Sequence, residues 1–155
     1  MSIRITREED LEKIYLIIDK YWDDKFGVHV KGKIFNFVNG AIEDKSFEVF
    51  TLMKEGVVMG FAALRNTPNH MSRFSNSPKS AEFYVIAVDE KGKGHGKELR
   101  DFRLDYLRER GYEEVIFFSG ETHKDSWDFH DSYAKRVGDM NAPDGERGVV
   151  WRLDL

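Results

Sequence analysis

A short segment rich in glycine and lysine carries the clearest chemistry in this sequence. Three glycines alternate with other residues in Lys91-Gly92-Lys93-Gly94-His95-Gly96, directly after an apolar run that ends at Val88. Alternating glycines let the backbone turn tightly enough for successive amide groups to face one point. The N-terminus of a following helix adds about half a positive charge there, and Lys91, Lys93 and Lys97 add side-chain charge. The segment therefore predicts a phosphate-binding site.

Two common nucleotide-binding motifs do not fit this segment. A P-loop requires a glycine, four further residues and then Gly-Lys-Ser/Thr, but Glu98 follows Gly96-Lys97 and Lys91 stands in the place of the first glycine. A dinucleotide fingerprint requires a third glycine three residues after the second, and Lys97 occupies that position. A solvated turn between strand and helix is the alternative interpretation, because a short glycine motif is weakly specific.

The composition is that of an ordinary soluble domain. The chain has 155 residues, of which 41% are hydrophobic and 34% charged, and its formal net charge is −4; a nucleic-acid partner is therefore not expected. The longest mostly apolar stretch, Val57–Leu64, is far shorter than the roughly 20 residues of a membrane helix. Acidic residues at Glu8, Glu9 and Asp10 argue against a signal peptide. We expect a cytoplasmic protein with no membrane partner.

The absence of cysteine excludes a disulfide framework, a thiolate zinc site and a cysteine nucleophile. Any acyl transfer must therefore use another nucleophile or occur directly between two bound substrates. His123 and His130 lie near several aspartates, but their spacing is not that of a tight ligand set. We expect no metal there, only the solvated beginning of a helix.

The hydrophobic pattern predicts the element order β-α-α-β-β-β-α-β-α-β. A capping box formed by Thr6 and Glu9 is expected to open the first helix, and Arg65 to Ser80 is expected to be a long polar loop. The unit 81–118 predicts a parallel β-α-β, and the hairpin before it makes the sheet mixed. The expected strands are Ser2–Ile5, Phe47–Met53, Val57–Leu64, Ala81–Val88, Val115–Phe118 and Val149–Leu153, and a further strand is allowed around Asp139 to Asn141. The expected helices are one from Thr6 to about Asp24, one around 33–42, one that opens at 91–96 and is closed by Gly111, and one around 126–137.

In this context the glycine segment resembles the signature of the GNAT superfamily of acyl-CoA-dependent N-acyltransferases. That signature is Arg/Gln-x-x-Gly-x-Gly/Ala between a strand and a helix; here Lys91 to Gly96 follow Ile86-Ala87-Val88. Lys91 replaces the usual Arg or Gln, which keeps the charge but loses the planar donors. The element order matches over nearly the whole chain. The resemblance implies an α/β (α+β) fold in a single domain spanning 1–155, with a mixed, mostly antiparallel central sheet, a parallel β-α-β unit and flanking helices.

The resemblance also implies that acetyl-CoA is the cosubstrate. In relatives the diphosphate of coenzyme A lies on the signature amides, and the pantetheine arm pairs with the preceding strand as an added strand would. Carried over to this sequence, the cofactor-binding residues are Lys91, Lys93, Gly94, His95, Gly96 and Lys97 in the turn, and Ile86, Ala87 and Val88 in the strand.

In the mechanism that the resemblance implies, a neutral amine attacks the thioester directly and no acyl-enzyme forms. Glu82 is the first choice for the base, because several relatives place a carboxylate nearby and its apolar surroundings favour a raised pKa. A carboxylate satisfied by a basic neighbour is the alternative. Tyr133, one place before the family's tyrosine position at Ala134, is the candidate acid for the leaving thiolate. A core aromatic residue is the alternative for Tyr133.

The predicted function is transfer of an acetyl group from acetyl-CoA to a primary amine of a small molecule or a protein, or of a longer acyl group by the same fold. A non-catalytic acyl-CoA-binding sensor domain is the alternative. Trp22, Asp23 and Asp24 are candidates for the pocket of a cationic acceptor, and a solvated helix end is the other interpretation of them. Exposed edge strands in this fold commonly pair with those of a second copy of the chain, so a homodimer is a possible assembly.

Overall fold

The computed structural model describes residues 2–22, 28–44 and 48–155. Short 3-10 helices occupy Glu8–Asp10, Asn69–Phe74 and Glu121–Ser126. The strands are β1 (Ser2–Ile5), β2 (Glu48–Lys54), β3 (Val57–Asn66), β4 (Ser80–Val88), β5 (Glu114–Gly120), β6 (Lys135–Asn141) and β7 (Arg147–Asp154), and the α-helices are α1 (Leu11–Tyr21), α2 (Val28–Asp44), α3 (His95–Glu109) and α4 (Trp127–Asp131).

The strands form a seven-stranded sheet in the order β1-β2-β3-β4-β5-β7-β6. Antiparallel pairing joins β1 with β2, β2 with β3, β5 with β7, and β6 with β7. β4 and β5 are parallel, with Ser80 to Glu82 in register with Glu114 to Ile116. α3 connects these two strands, since a parallel pair needs a long crossover. The predicted mixed, mostly antiparallel sheet with one parallel β-α-β unit is confirmed.

The first of two compact units comprises Met1–Leu64 and Val85–Arg103. β2 and β3 are buried on both faces along continuous runs, from Val49 to Leu52 and from Gly60 to Leu64. α1 buries the stripe Ile14, Ile17 and Ile18. Leu99 of α3 is fully buried in a cluster that also contains Leu52 and Ala62. This packing fixes the first turns of α3, which follow the glycine segment.

The second unit comprises Arg65–Tyr84 and Leu104–Leu155. One face of its strands buries Met71, Ile116, Met140 and Val150. On β5 and β7, Phe117 stacks on the fully buried Trp151 with ring centroids 5.6 Å apart. Among the described residues, no helix is long and apolar enough to cross a membrane.

Three local predictions were wrong. Thr6 does not cap α1: its hydroxyl is 2.7 Å from the hydroxyl of Thr51, and Asp10 accepts the hydrogen bond from the amide of Arg7 instead. The expected loop Arg65 to Ser80 contains a 3-10 helix that buries Met71. The expected helix Ser126–Val137 ends at Asp131, because β6 begins at Lys135 and pairs with β7; cross-strand pairing here outweighs local helix propensity.

Candidate functional site

The glycine segment forms a tight left-handed turn between β4 and α3. Gly92 has φ +78° and Gly94 has φ +81°, a region that other residues enter only at a cost of about 1–2 kcal/mol. A Cβ at either position would meet nothing within 4 Å. Packing therefore does not explain these glycines. Their backbone conformation does, and it leaves the outer side of the turn open.

The beginning of α3 supplies hydrogen-bond donors to this open side. α3 begins at His95, and the amide of Glu98 closes the first helical turn on the carbonyl of Gly94 at 3.1 Å. The amides of His95, Gly96 and Lys97 precede that bond and have no acceptor within the helix. With the helix dipole they form a site that attracts an anion.

Exposed cations surround these amides. The side chains of Lys91, Lys93 and Lys97 are all exposed, and the ammonium of Lys91 lies 5.5 Å from the ring centroid of Tyr21. His95 is 3% exposed, and its Nδ1 atom has no hydrogen-bond partner among the described residues. An open turn, amides without a helical acceptor and three exposed lysines fit a phosphorylated ligand.

Asp89 anchors the turn to α1, a role that the sequence analysis missed. Its amide donates to the carbonyl of Met59 at 2.8 Å, and its backbone oxygen and carboxylate accept hydrogen bonds from Lys20. Lys13 lies 3.3 Å from the same carboxylate. Desolvation raises the pKa of Asp89, but the bonds from Lys20 and Lys13 outweigh it and hold the pKa below its ordinary value.

The strand residues predicted to bind the cofactor lie at the end of β4. Ile86 and Val88 pack against the Leu52, Ala62 and Leu99 cluster, and Ala87 is 2% exposed. The residues of β4 that pair with β5 lie at the opposite end of the strand, from Ser80 to Glu82.

Glu82 is buried beside a cation. It is 4% exposed, and the Nε atom of Arg65 donates to its carboxylate. Burial raises the pKa of Glu82, while the hydrogen bond and charge of Arg65 oppose the rise. The guanidinium of Arg65 also lies 3.8 Å from the ring centroid of Tyr84, and burial raises the pKa of that tyrosine. Glu82 is thus a satisfied carboxylate whose proton affinity Arg65 controls.

Tyr133 lies in the turn after α4, against an aromatic cluster. Its ring stacks on Phe117 at 5.6 Å, and its hydroxyl is 3.4 Å from Nδ1 of His130. Phe83 stacks on the same Phe117. Because neighbouring strand residues point to opposite faces, Glu82 lies on the face opposite to Phe83 and Tyr133. The two predicted catalytic residues are therefore not brought together on one face.

The remaining candidates are placed as follows. His123 lies in the 3-10 helix before α4, and His130 packs 4.9 Å from Trp151. Among the described residues, no group of three or more histidine, aspartate or glutamate side chains is placed to hold a metal. Trp22 is 6% exposed, while Asp23 and Asp24 lie outside the described residues.

Comparison with known proteins confirms the resemblance that rests on the sheet and the turn. The model of the Acetyltransferase (GNAT) family matches residues 9–134, so the chain belongs to the GNAT family of acetyltransferases. Mycothiol acetyltransferase from Saccharomonospora viridis is 41% identical over 66 residues, which make up 41% of this chain. The aligned residues span only 21% of that protein.

Solved structures show the same fold. An acetyltransferase of the GNAT family from Desulfovibrio desulfuricans superposes with a TM-score of 0.81 at 14% identity, over 99% of this chain and 98% of that one. A GNAT superfamily phosphinothricin acetyltransferase from Sinorhizobium meliloti, in complex with acetyl-CoA, gives a TM-score of 0.75 at 19% identity, over 99% of this chain and 88% of that one.

Proposed function

We propose that this protein transfers the acetyl group of acetyl-CoA to a primary amine by direct attack within a ternary complex. The observation that carries the proposal is the turn at Gly92 and Gly94, whose left-handed conformation leaves the amides at the start of α3 open to a diphosphate. Family membership and the acetyl-CoA complex of a structural neighbour support the same cosubstrate.

The turn provides both charge and rigidity for this ligand. The diphosphate of acetyl-CoA would accept hydrogen bonds from the amides of residues 93–97, and the lysines would neutralise its charge. Charge-assisted hydrogen bonds of this kind contribute about 1.5–3 kcal/mol each. The anchoring of Asp89 by Lys20 and Lys13 holds the turn in place before the ligand arrives, which lowers the entropic cost of binding.

The end of β4 suits the extended arm of the cosubstrate. Ile86 and Val88 follow the part of β4 that pairs with β5, so we propose that their backbone groups pair with the amides of the pantetheine arm. A peptide-like chain that adds to a strand in this way gains regular hydrogen bonds. The thioester would then lie near the middle of β4.

Glu82 is our candidate for the base that removes the proton of the acceptor amine. The reactive form of Glu82 is the carboxylate. Burial raises its pKa and makes it a better proton acceptor, while the hydrogen bond and charge of Arg65 favour the ionised form. A buried carboxylate with a raised pKa is suited to accept the proton of an amine. The ion pair of Glu82 with Arg65 also favours the alternative function, a non-catalytic acyl-CoA-binding sensor domain.

Tyr133 is our candidate for the acid that protonates the leaving thiolate. Direct transfer moves one proton from the amine and delivers one to the sulfur, so the two groups act on different atoms. Because the nitrogen and the sulfur are bonded to one carbon in the tetrahedral intermediate, the proposal requires the thioester to lie where both Glu82 and Tyr133 can reach it. The hydrogen bond between Tyr133 and His130 orients the phenol.

The proposal is tested by measuring coenzyme A release from acetyl-CoA with a panel of small amines and amine-bearing peptides. Release that depends on one class of amine supports the transferase and identifies the acceptor. Saturable acetyl-CoA binding without release for any amine favours the sensor domain instead. A protein that does not bind acetyl-CoA contradicts both functions.

A further inference from the structure

A polar cleft of about 650 Å³ lies in the second unit, and no part of the proposed reaction uses it. Its lining comes from the end of β3, the segment before β4 and the turn after α3. The volume lies within the ~300–1,000 Å³ range of small-molecule sites. The cleft therefore has room for a metabolite rather than a single ion.

Most residues that line the cleft carry a hydroxyl, an amide or a positive charge, and Pro78 and Gly111 complete the lining. Lys79 and Arg110 supply the positive charge, and the lining contains no aspartate or glutamate. The polar groups are Asn66, Thr67, Ser72, Ser75, Ser77, Ser80 and Tyr112. A lining with two cations, no carboxylate and free hydrogen-bond donors favours oxygen-rich anions.

Four hydroxyls of the lining donate their hydrogen within the protein, and two other groups keep a free donor; the four are Ser72, Ser75, Ser80 and Tyr112. The hydroxyl of Tyr112 donates to the amide oxygen of Asn66 at 2.8 Å, which leaves the amide nitrogen of Asn66 to donate elsewhere. The hydroxyl oxygen of Ser77 accepts from the amide of Lys79 at 3.0 Å, which leaves the hydroxyl hydrogen to donate. No partner for the Lys79 ammonium is seen within residues 2–22, 28–44 and 48–155.

The remaining hydroxyls and the nearby acid hold the cleft in shape. Ser80 lies 2.7 Å from the hydroxyl of Thr67 and donates to Glu114 at 2.9 Å. The other oxygen of Glu114, which is 1% exposed, accepts from the amide of Asn76. Arg110 is held by Tyr106, whose ring centroid lies 3.3 Å from the guanidinium carbon.

We propose that this cleft binds a small multiply charged oxyanion, either a phosphate ester or a polycarboxylate, at a site separate from the signature turn. The cations Lys79 and Arg110 pair with the anion, and the free donors of Asn66 and Ser77 bind its oxygens. The proposal does not depend on acetyl transfer, because none of these residues belongs to the proposed cosubstrate site.

The test is calorimetric titration of the full chain with inorganic phosphate and, separately, with citrate at constant ionic strength. The double variant Lys79→Gln/Arg110→Gln removes both charges at exposed positions. Arg108→Gln is the matched control, since Arg108 lies two residues before Arg110, pairs with Asp105 and does not line the cleft. Lys93→Gln reports binding at the signature turn.

We expect saturable binding of at least one probe, weakened about tenfold or more in the double variant and unchanged in Arg108→Gln. Binding of phosphate alone assigns a phosphate ester, and binding of citrate alone assigns a polycarboxylate. The proposal is overturned if neither probe binds saturably, or if the double variant binds as the wild type does. Loss of binding in Lys93→Gln alone would move the site to the signature turn and also overturn it.

Discussion

Replacing Gly94 with alanine tests whether the left-handed turn creates the acetyl-CoA site. Gly94 has φ +81°, where an L-residue costs about 1–2 kcal/mol. For a chain of this size 1 kcal/mol shifts Tm by roughly 2–4 °C, so Gly94→Ala is expected to lower Tm by about 2–8 °C. The added methyl group also points into open space, where we place the diphosphate.

The loss of affinity follows from the amides that the turn presents. A turn that relaxes or is obstructed loses at least one charge-assisted hydrogen bond, about 1.5–3 kcal/mol. This corresponds to a Kd for acetyl-CoA that rises by about tenfold or more. Loss of kcat is not expected, because the reacting groups are not in the turn.

Gly96→Ala is the matched control, since it adds the same methyl group two residues further along. Gly96 has no positive φ, and its Cβ would meet Ile86 Cδ1 at 4.0 Å, an ordinary contact. Alanine favours a helix over glycine by up to about 1 kcal/mol, so Tm should stay or rise. Calorimetric titration with acetyl-CoA and thermal unfolding measure both variants. Equal acetyl-CoA affinity in Gly94→Ala and wild type would refute the reasoning.

The other predictions concern individual side chains. Glu82→Gln should remove the rise of kcat/KM with pH, because the active form is the carboxylate and its raised pKa sets the acidic limb; an unchanged pH profile excludes the base role. Arg65→Lys should keep the charge but lose the Nε hydrogen bond that lowers the pKa of Glu82, and so move that limb to higher pH; a shift to lower pH contradicts this. Tyr133→Phe should lower kcat with little change in the KM for acetyl-CoA, and full turnover would leave Tyr133 a packing residue. Hydrogen bonds from Arg136 and Trp151 lower the pKa of Asp131 to about 2 from 3.8. The stability that the ionised Asp131 contributes is therefore present above about pH 4 and is lost as the pH falls towards 2. The Tm difference between wild type and Asp131→Asn should shrink from pH 7 to pH 3, and a constant difference would contradict the pairing.

The sequence was most informative where a local rule and the tertiary structure agree. The signature turn was predicted because glycine adopts a positive φ at little cost, as it does at Gly92 and Gly94. The stripe on α1 follows from a hydrophobic periodicity of 3.6. The hairpin of β2 and β3 follows from two strand-like runs separated by Lys54-Glu55-Gly56. Each of these features depends on residues close together in the chain.

Features set by distant pairing were predicted only in part: a strand was allowed around Asp139 to Asn141, and a basic neighbour was the alternative for Glu82, without its identity. β6 replaces the end of the predicted last helix because its register with β7 is a contact between separate segments. The Arg65 and Glu82 pair joins adjacent strands, and no local pattern marks it. A signal did exist for the anchor of Asp89: Lys13 and Lys20 are seven residues apart, which places both on one face of α1.

A crystal structure of the protein with acetyl-CoA tests the central claim most directly. The account predicts that the diphosphate oxygens lie within hydrogen-bond distance of the backbone nitrogens of residues 93–97, with the pantetheine arm beside Ile86 and Val88. A bound cosubstrate whose diphosphate lies elsewhere, with the turn free of it, would contradict the account.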